Sequence, residues 1–128
     1  MKKKRFAALG LAVGLMAFGG TVQAGTTYSS YDFVVPEFNG SHYTGYQVKT
    51  YSGTSGDLRS SSVGGAYTVD VRMENSSGST GTWVRSVTDN DNRKLPSTAP
   101  SGSSVRLHIS NDLTTPVNVR VAGSWRSN

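Results

Sequence analysis

Tyrosine is the residue type whose placement most suggests chemistry. Tyr28, Tyr31, Tyr43, Tyr46 and Tyr51 fall in one short stretch of a chain with only six tyrosines. On a sheet face, a tyrosine ring can stack on a sugar or on another protein while its hydroxyl reaches a polar partner. These five are therefore the candidate binding residues. Burial of some of them in the core is the competing reading. Trp83 and Trp125 are expected to anchor the core.

Other chemistry-bearing residues are sparse. His42 and His108 stand alone and cysteine is absent, whereas a zinc site takes three or four such ligands. Both histidines are expected at the surface or at strand edges. Asp89-Asn90-Asp91-Asn92 offers oxygens, but the places where a calcium loop needs an oxygen, a glycine and a glutamate hold Arg93, Lys94 and Pro100. An Asx-rich turn is expected there. Leu95-Pro96-Ser97-Thr98-Ala99 approaches the sorting signal L-P-x-T-G, yet strand-like segments follow instead of an apolar tail. A proline-bounded loop is the expectation. No serine sits in a G-x-S-x-G setting. The 8 acidic residues lie mostly in turns or beside cations, a poor source of the carboxylate pair that glycoside hydrolysis uses. No catalytic residue, cofactor or metal is expected.

The first residues explain where such a chain would work. Lys2, Lys3, Lys4 and Arg5 precede an apolar run, Phe6 to Phe18, and then small residues at Val22 and Ala24. That order is a secretory signal cleaved between Ala24 and Gly25. The run is shorter than the roughly 20 apolar residues of a membrane span. Residues 1–24 are thus expected to be signal and 25–128 a single secreted, extracellular domain. Four of the 13 basic residues leave with the signal while all 8 acids stay. The net charge of +5 therefore shrinks to near balance, and a nucleic-acid partner is not expected. Without cysteine the domain must be held by packing alone, by an ion or by self-association.

The mature segment shows strand patterning and no helical period. Tyr67, Val69, Val71 and Met73 alternate with Thr68, Asp70, Arg72 and Glu74, the signature of a half-buried strand. Val105, Leu107 and Ile109 repeat it, as do Val117, Val119, Val121 and Trp125. These eleven apolar residues are the expected core. Residues 31–35, 43–51 and 82–88 are read as further strands, with Tyr46 and Val48 on one face of the second and Gln47 and Lys49 on the other. Residues 52–65, rich in glycine and serine, are read as a long loop. Short strands divided by turn residues predict an all-β antiparallel sandwich of about six to eight strands, with a small barrel as the alternative.

From about Gly45 onward the chain resembles an uncharacterised family of small secreted Gram-positive proteins. The resemblance rests on Val69-Asp-Val-Arg-Met-Glu-Asn-Ser-Ser-Gly78, Val105-Arg-Leu-His-Ile-Ser-Asn111 and Val119-Arg-Val-Ala-Gly-Ser-Trp125. It implies a secreted β-domain and carries over no catalytic residue. Export and the tyrosine group together predict a non-enzymatic protein that binds a cell-surface or cell-wall component, or another protein, in an antibacterial or signalling role. A secreted hydrolase with a scattered site and a self-assembling structural subunit are the alternatives.

Overall fold

A computed structural model describes residues 23–128, which form ten strands and no helix. In chain order the strands are β1 (Gln23–Ala24), β2 (Ser29–Val35), β3 (Ser41–Tyr43), β4 (Gln47–Val48), β5 (Gly56–Val63), β6 (Val69–Asn75), β7 (Val84–Val87), β8 (Asp91–Leu95), β9 (Ser104–Asn111) and β10 (Val119–Arg126). They build a sandwich of two open sheets. The larger runs β1-β4-β9-β6-β7, with β3 also on β9; the smaller runs β2-β10-β5-β8. All pairings are antiparallel except β1 with β4. The expected sandwich is present with more strands than six to eight, and no barrel closes.

Alternation places the core as anticipated along β6, β9 and β10. Val69, Val71, Met73, Val105, Leu107, Ile109, Val119, Val121 and Trp125 are all buried. Tyr67 is half-buried against them. Val117 is 43% exposed, because β10 starts only at Val119. Burying an aliphatic side chain contributes about 1.5–3 kcal/mol, and this set supplies much of the apolar filling between the sheets.

Two bulges shift the inward phase and add core residues. In β5, Ala122 of β10 faces Ser62 but Gly123 faces Ser60, so Ser61 is the extra residue. The shift turns Val63 inward beside Leu58, as a bulge does. The supposed loop over 52–65 is therefore largely strand. Its inward positions are Gly56, Leu58, Ser60 and Val63, and only two of these are apolar. Gly56 is small for a reason: a Cβ there would lie 2.5 Å from the Arg126 carbonyl oxygen and 2.7 Å from Met73 Cε. In β7, Val69 pairs with Val87 and Val71 with Val84, so two valines three apart both point inward. Ser86 takes up the slack at φ 59°, and the Asp70 carboxylate accepts its N–H at 3.1 Å.

The segment read as one strand over 43–51 breaks into β3 and β4, both laid along β9. Its faces are reversed relative to hydrophobicity. Gln47 and Lys49 are buried, at 0% and 1% exposure, while Tyr46 and Val48 face outward. Gln47 Nε2 donates to Ser29 Oγ at 2.9 Å and to the Trp125 carbonyl at 3.0 Å, and Gln47 Oε1 accepts Ser127 N–H at 2.8 Å. Lys49 Nζ donates to the Thr54 carbonyl at 2.6 Å and the Ser127 carbonyl at 3.0 Å. Burial holds the Lys49 ammonium below its ordinary pKa. These side chains lace the open side of the sandwich by satisfying the backbone at the end of β10, as buried polar groups require.

The turn expected over 89–92 is confined to Asp89 and Asn90, because Asp91 and Asn92 already belong to β8. Asn90 is left-handed at φ 49°, and Asp89 Oδ1 accepts Val63 N–H at 2.7 Å. Leu95, first residue of the would-be sorting motif, ends β8 and is fully buried.

Candidate functional site

The candidate site lies on the outer face of the larger sheet and follows from the alternation that builds the core. With Val105, Leu107 and Ile109 inward, β9 must present Arg106, His108 and Ser110 on its other face. With Val71 and Met73 inward, β6 presents Asp70, Arg72 and Glu74. Register then sets Tyr43 of β3, His108 of β9 and Arg72 of β6 side by side, with Glu74 opposite Arg106. Paired residues share a face and their side chains touch. Thr44 extends the β3 pairing, its Oγ1 accepting Leu107 N–H at 2.9 Å. That carries the chain to Tyr46.

The side chains form one continuous row. The Arg106 guanidinium carbon stands 4.1 Å from the Tyr43 ring centroid and 5.1 Å from that of Tyr46. Tyr43 and His108 have centroids 4.6 Å apart. Trp83, just before β7, meets His108 edge-on at 5.0 Å. Arg72 covers Trp83 at 4.4 Å, with Arg85 at 5.5 Å. Glu74 accepts Arg106 Nε at 3.0 Å, and Asp70 pairs with Arg85 at 2.8 Å. Three guanidiniums thus face two carboxylates across a field of aromatic rings. Stacked guanidiniums keep outward N–H edges free for a carboxylate or phosphate, and exposed rings offer apolar faces beside them. The arrangement suits a flat, partly anionic ligand.

His108 is the half-buried pivot of the row. Its Nε2 lies 2.7 Å from Ser41 Oγ, while its Nδ1 is buried without a partner. Burial first, and then the neighbouring Arg72 cation, lower its pKa from the ordinary histidine value. A neutral imidazole beside a serine hydroxyl is the geometry of a base and a nucleophile. A working dyad also needs a group that orients the base, and among the described residues none holds Nδ1. Among the described residues, no group of three His, Cys, Asp or Glu is placed to hold a metal ion.

The five tyrosines expected to form a binding group are separated by the fold. Only Tyr43 and Tyr46 sit together, each 38% exposed. Tyr31, expected in the binding group, instead points into the core at 7% exposure, and burial pushes its hydroxyl pKa up to about 12. Tyr51 is exposed in the turn after β4, away from the row. Tyr28 lies just before β2, beside the other sheet. There Arg59 stacks on its ring at 3.9 Å and Arg126 at 4.7 Å. The ring borders an open groove of about 310 Å³ that Lys94 and Asp57 also line. Burial acts to raise the Asp57 carboxyl, but hydrogen bonds from Lys94, Arg126 and Asn128 outweigh it and hold the group at about 2.

Several members of the row were not expected. Trp83, read as a core anchor, is half-buried on the outer face because β7 begins after it. His108, read as an isolated surface or edge residue, lies mid-strand in the sheet interior between β3 and β6. Arg72 and Arg106 occupy the polar phase of two strands whose apolar phase was plain, so listing that phase would have found them. His42 stacks on Phe33 at 4.0 Å and lies 3.1 Å from the Val34 carbonyl oxygen, apart from the row. The expected signal lies outside the described residues except for Gln23 and Ala24, both exposed in β1, and Gly25 beyond them is buried. Compared with known proteins, the chain matches no family model and no curated sequence.

Proposed function

We propose that the protein is secreted and acts without catalysis, by binding a bacterial cell-surface component through the outer face of its larger sheet. The observation that carries this reading is the row Tyr46–Arg106–Tyr43–His108–Trp83–Arg72, held in mutual contact while Tyr43 and Tyr46 remain 38% exposed. A monomer leaves rings and guanidiniums in such a row where they can be covered by a partner, and tyrosine, tryptophan and arginine are the residues that dominate binding energies. Secretion enters through the N-terminal signal pattern, and the intact mass of material from a culture supernatant, expected to begin at Gly25, tests it. Binding is tested by sedimentation with intact cells or purified walls. Changing Tyr43 and Tyr46 together to serine is expected to abolish co-sedimentation while the melting temperature stays put. Retention of binding by that folded variant overturns the assignment.

A second reading is a hydrolase, favoured by the single contact between Ser41 Oγ and His108 Nε2 at 2.7 Å. It predicts turnover of wall or peptide substrates that disappears in His108→Gln and survives in the Tyr43 and Tyr46 double variant. Binding without turnover in the wild type removes it.

A further inference from the structure

The groove beside Tyr28, on the outer face of the smaller sheet, has no part in the row just described. We infer that it is a second site, which takes the phosphodiester groups of an anionic polyol-phosphate polymer. The anion site stands on its own geometry, and the choice of a surface polymer as its source rests on the surface-binding reading above.

Strand pairing assembles the groove. Arg126 of β10, Asp57 of β5 and Lys94 of β8 stand in one rung, and Ser124, Arg59 and Asn92 stand two residues along, on the same face. Asp57 is already saturated. Its Oδ1 accepts Lys94 Nζ at 2.6 Å, and its Oδ2 accepts Arg126 Nε at 2.8 Å and Asn128 Nδ2 at 3.1 Å. One carboxylate therefore serves two cations. Among the described residues, Arg59 makes no ion pair and no side-chain hydrogen bond; its guanidinium is fixed only by the Tyr28 ring at 3.9 Å. Arg126 spends Nε on Asp57 and stacks on the same ring at 4.7 Å, and among the described residues its terminal nitrogens have no hydrogen-bond partner. Tyr28 is thus a positioning residue. It holds two guanidiniums around one spot at little entropic cost, since a stacked planar fork is already ordered.

The ligand class follows from that layout. A carboxylate is planar and is satisfied by a single guanidinium fork. Two guanidiniums and an ammonium set around one opening suit an anion with oxygens splayed in several directions, which is phosphate. The opening is a groove of about 310 Å³ facing solvent along β8, and it admits a chain running through rather than an enclosed small molecule. Exposed cations concentrated in one groove, within residues 25–128 whose nine basic and eight acidic side chains nearly balance, complement a repeating monoanion.

The test uses the full chain, with arginine Nε–Hε resonances as reporters. Inorganic pyrophosphate is expected to shift Arg59 and Arg126 and to leave Arg72 and Arg106 unmoved. Poly(glycerol phosphate) is expected to bind at lower concentration than polygalacturonate or vesicles of anionic phospholipid. Arg59→Ala is expected to weaken polymer binding about tenfold, the scale of a lost charge-assisted hydrogen bond, and to lower the salt dependence by about one ion. Arg120→Ala, on the same face but paired with Asp32, is expected to bind as wild type. Absence of pyrophosphate shifts at Arg59 and Arg126 overturns the anion site. Equal loss in the Arg59 and Arg120 variants does the same, because it reduces the effect to net charge. Polygalacturonate or vesicles binding as tightly as poly(glycerol phosphate) overturns the phosphate-polymer assignment. The Tyr43 and Tyr46 double variant is expected to keep its pyrophosphate shifts, so failure of the aromatic row and failure of this groove read out separately.

Discussion

Replacing Gln47 by alanine should damage the fold far more than any change to its neighbour Val48. Gln47 is fully buried, and its amide satisfies the Trp125 carbonyl at 3.0 Å and the Ser127 N–H at 2.8 Å. Alanine leaves both backbone groups buried without partners, at about 1–3 kcal/mol each. The expected loss is therefore about 2–6 kcal/mol, before the cavity left by the side chain is counted. A domain of this size has only about 5–15 kcal/mol in total. Val48 is 37% exposed on the opposite face, and Val48→Ala should stay within about 0.5 kcal/mol. Urea unfolding followed by tryptophan fluorescence measures both. At about 1–3 kcal/mol per molar of urea, Gln47→Ala should lower the midpoint by about 1 M or more. Gln47→Glu adds a pH signature. Its new carboxyl would face the Thr27 and Trp125 carbonyl oxygens now served by Nε2, so its folded pKa lies above the unfolded value of about 4.3. This variant should lose stability as pH rises above that value and recover in acid. Equal midpoints for Gln47→Ala and Val48→Ala would refute the inverted burial of β4.

Three further outcomes test the packing and the electrostatics. Val119→Asp buries an unpaired charge at a site 1% exposed and should lower stability by several kcal/mol, about the cost of burying an unpartnered polar group or more, whereas Arg120→Asp on the outward phase should leave the fold intact; urea midpoints that move together would show the β10 register to be wrong. Asp57 is held at about 2 against an ordinary 3.8, so its contribution is present above pH 3.8 and is lost as pH falls from there toward 2; acid unfolding curves of Asp57→Asn should be flatter than wild type across that window, and an unchanged slope would refute the pairing. Gly123→Ala places a Cβ against the Arg59 carbonyl and 2.7 Å from the Tyr31 hydroxyl, and should lower stability by about 1–3 kcal/mol through overpacking, with calorimetry as the measure.

How far the fold could be read from the residues depended on whether each strand kept an unbroken period of two. β6, β9 and β10 keep it through their paired length, so their inward residues were legible one by one. β5 does not. Its inward positions are Gly56, Leu58, Ser60 and, after the bulge at Ser61, Val63. Glycine and serine there look like linker in isolation. In the folded chain Gly56 is the residue small enough to admit the Arg126 carbonyl and Met73, and Ser60 is buried with it on the inner face. β4 misleads for a different reason. Its segment lies at the open side of the sandwich, where the pressing need is to satisfy the backbone of the β10 terminus rather than to fill volume. A glutamine and a lysine with long reach meet that need, and the hydrophobic neighbours are turned out.

The same logic explains why the tyrosines pointed only partly in the right direction. Clustering along the chain is a poor guide to clustering in space when consecutive strands alternate between two sheets. Tyr28 and Tyr31 lead into and belong to β2 of the smaller sheet, while Tyr43 and Tyr46 follow a crossover to the larger one. The better guide was the polar phase of the strands whose apolar phase was already clear. Once Val105, Leu107 and Ile109 are assigned inward, Arg106 and His108 must share a face. Once Val71 and Met73 are inward, so must Arg72 and Glu74. Antiparallel pairing of β6 with β9 then makes these four residues neighbours. Arginine and histidine at the centre of a sheet, rather than the lysine or glutamate that guards an edge, are costly to desolvate unless aromatic faces cover them. Tyr43 and Trp83 supply those faces. That leaves the row half-solvated and half-stacked, a surface that a partner carrying both rings and negative charge can complete.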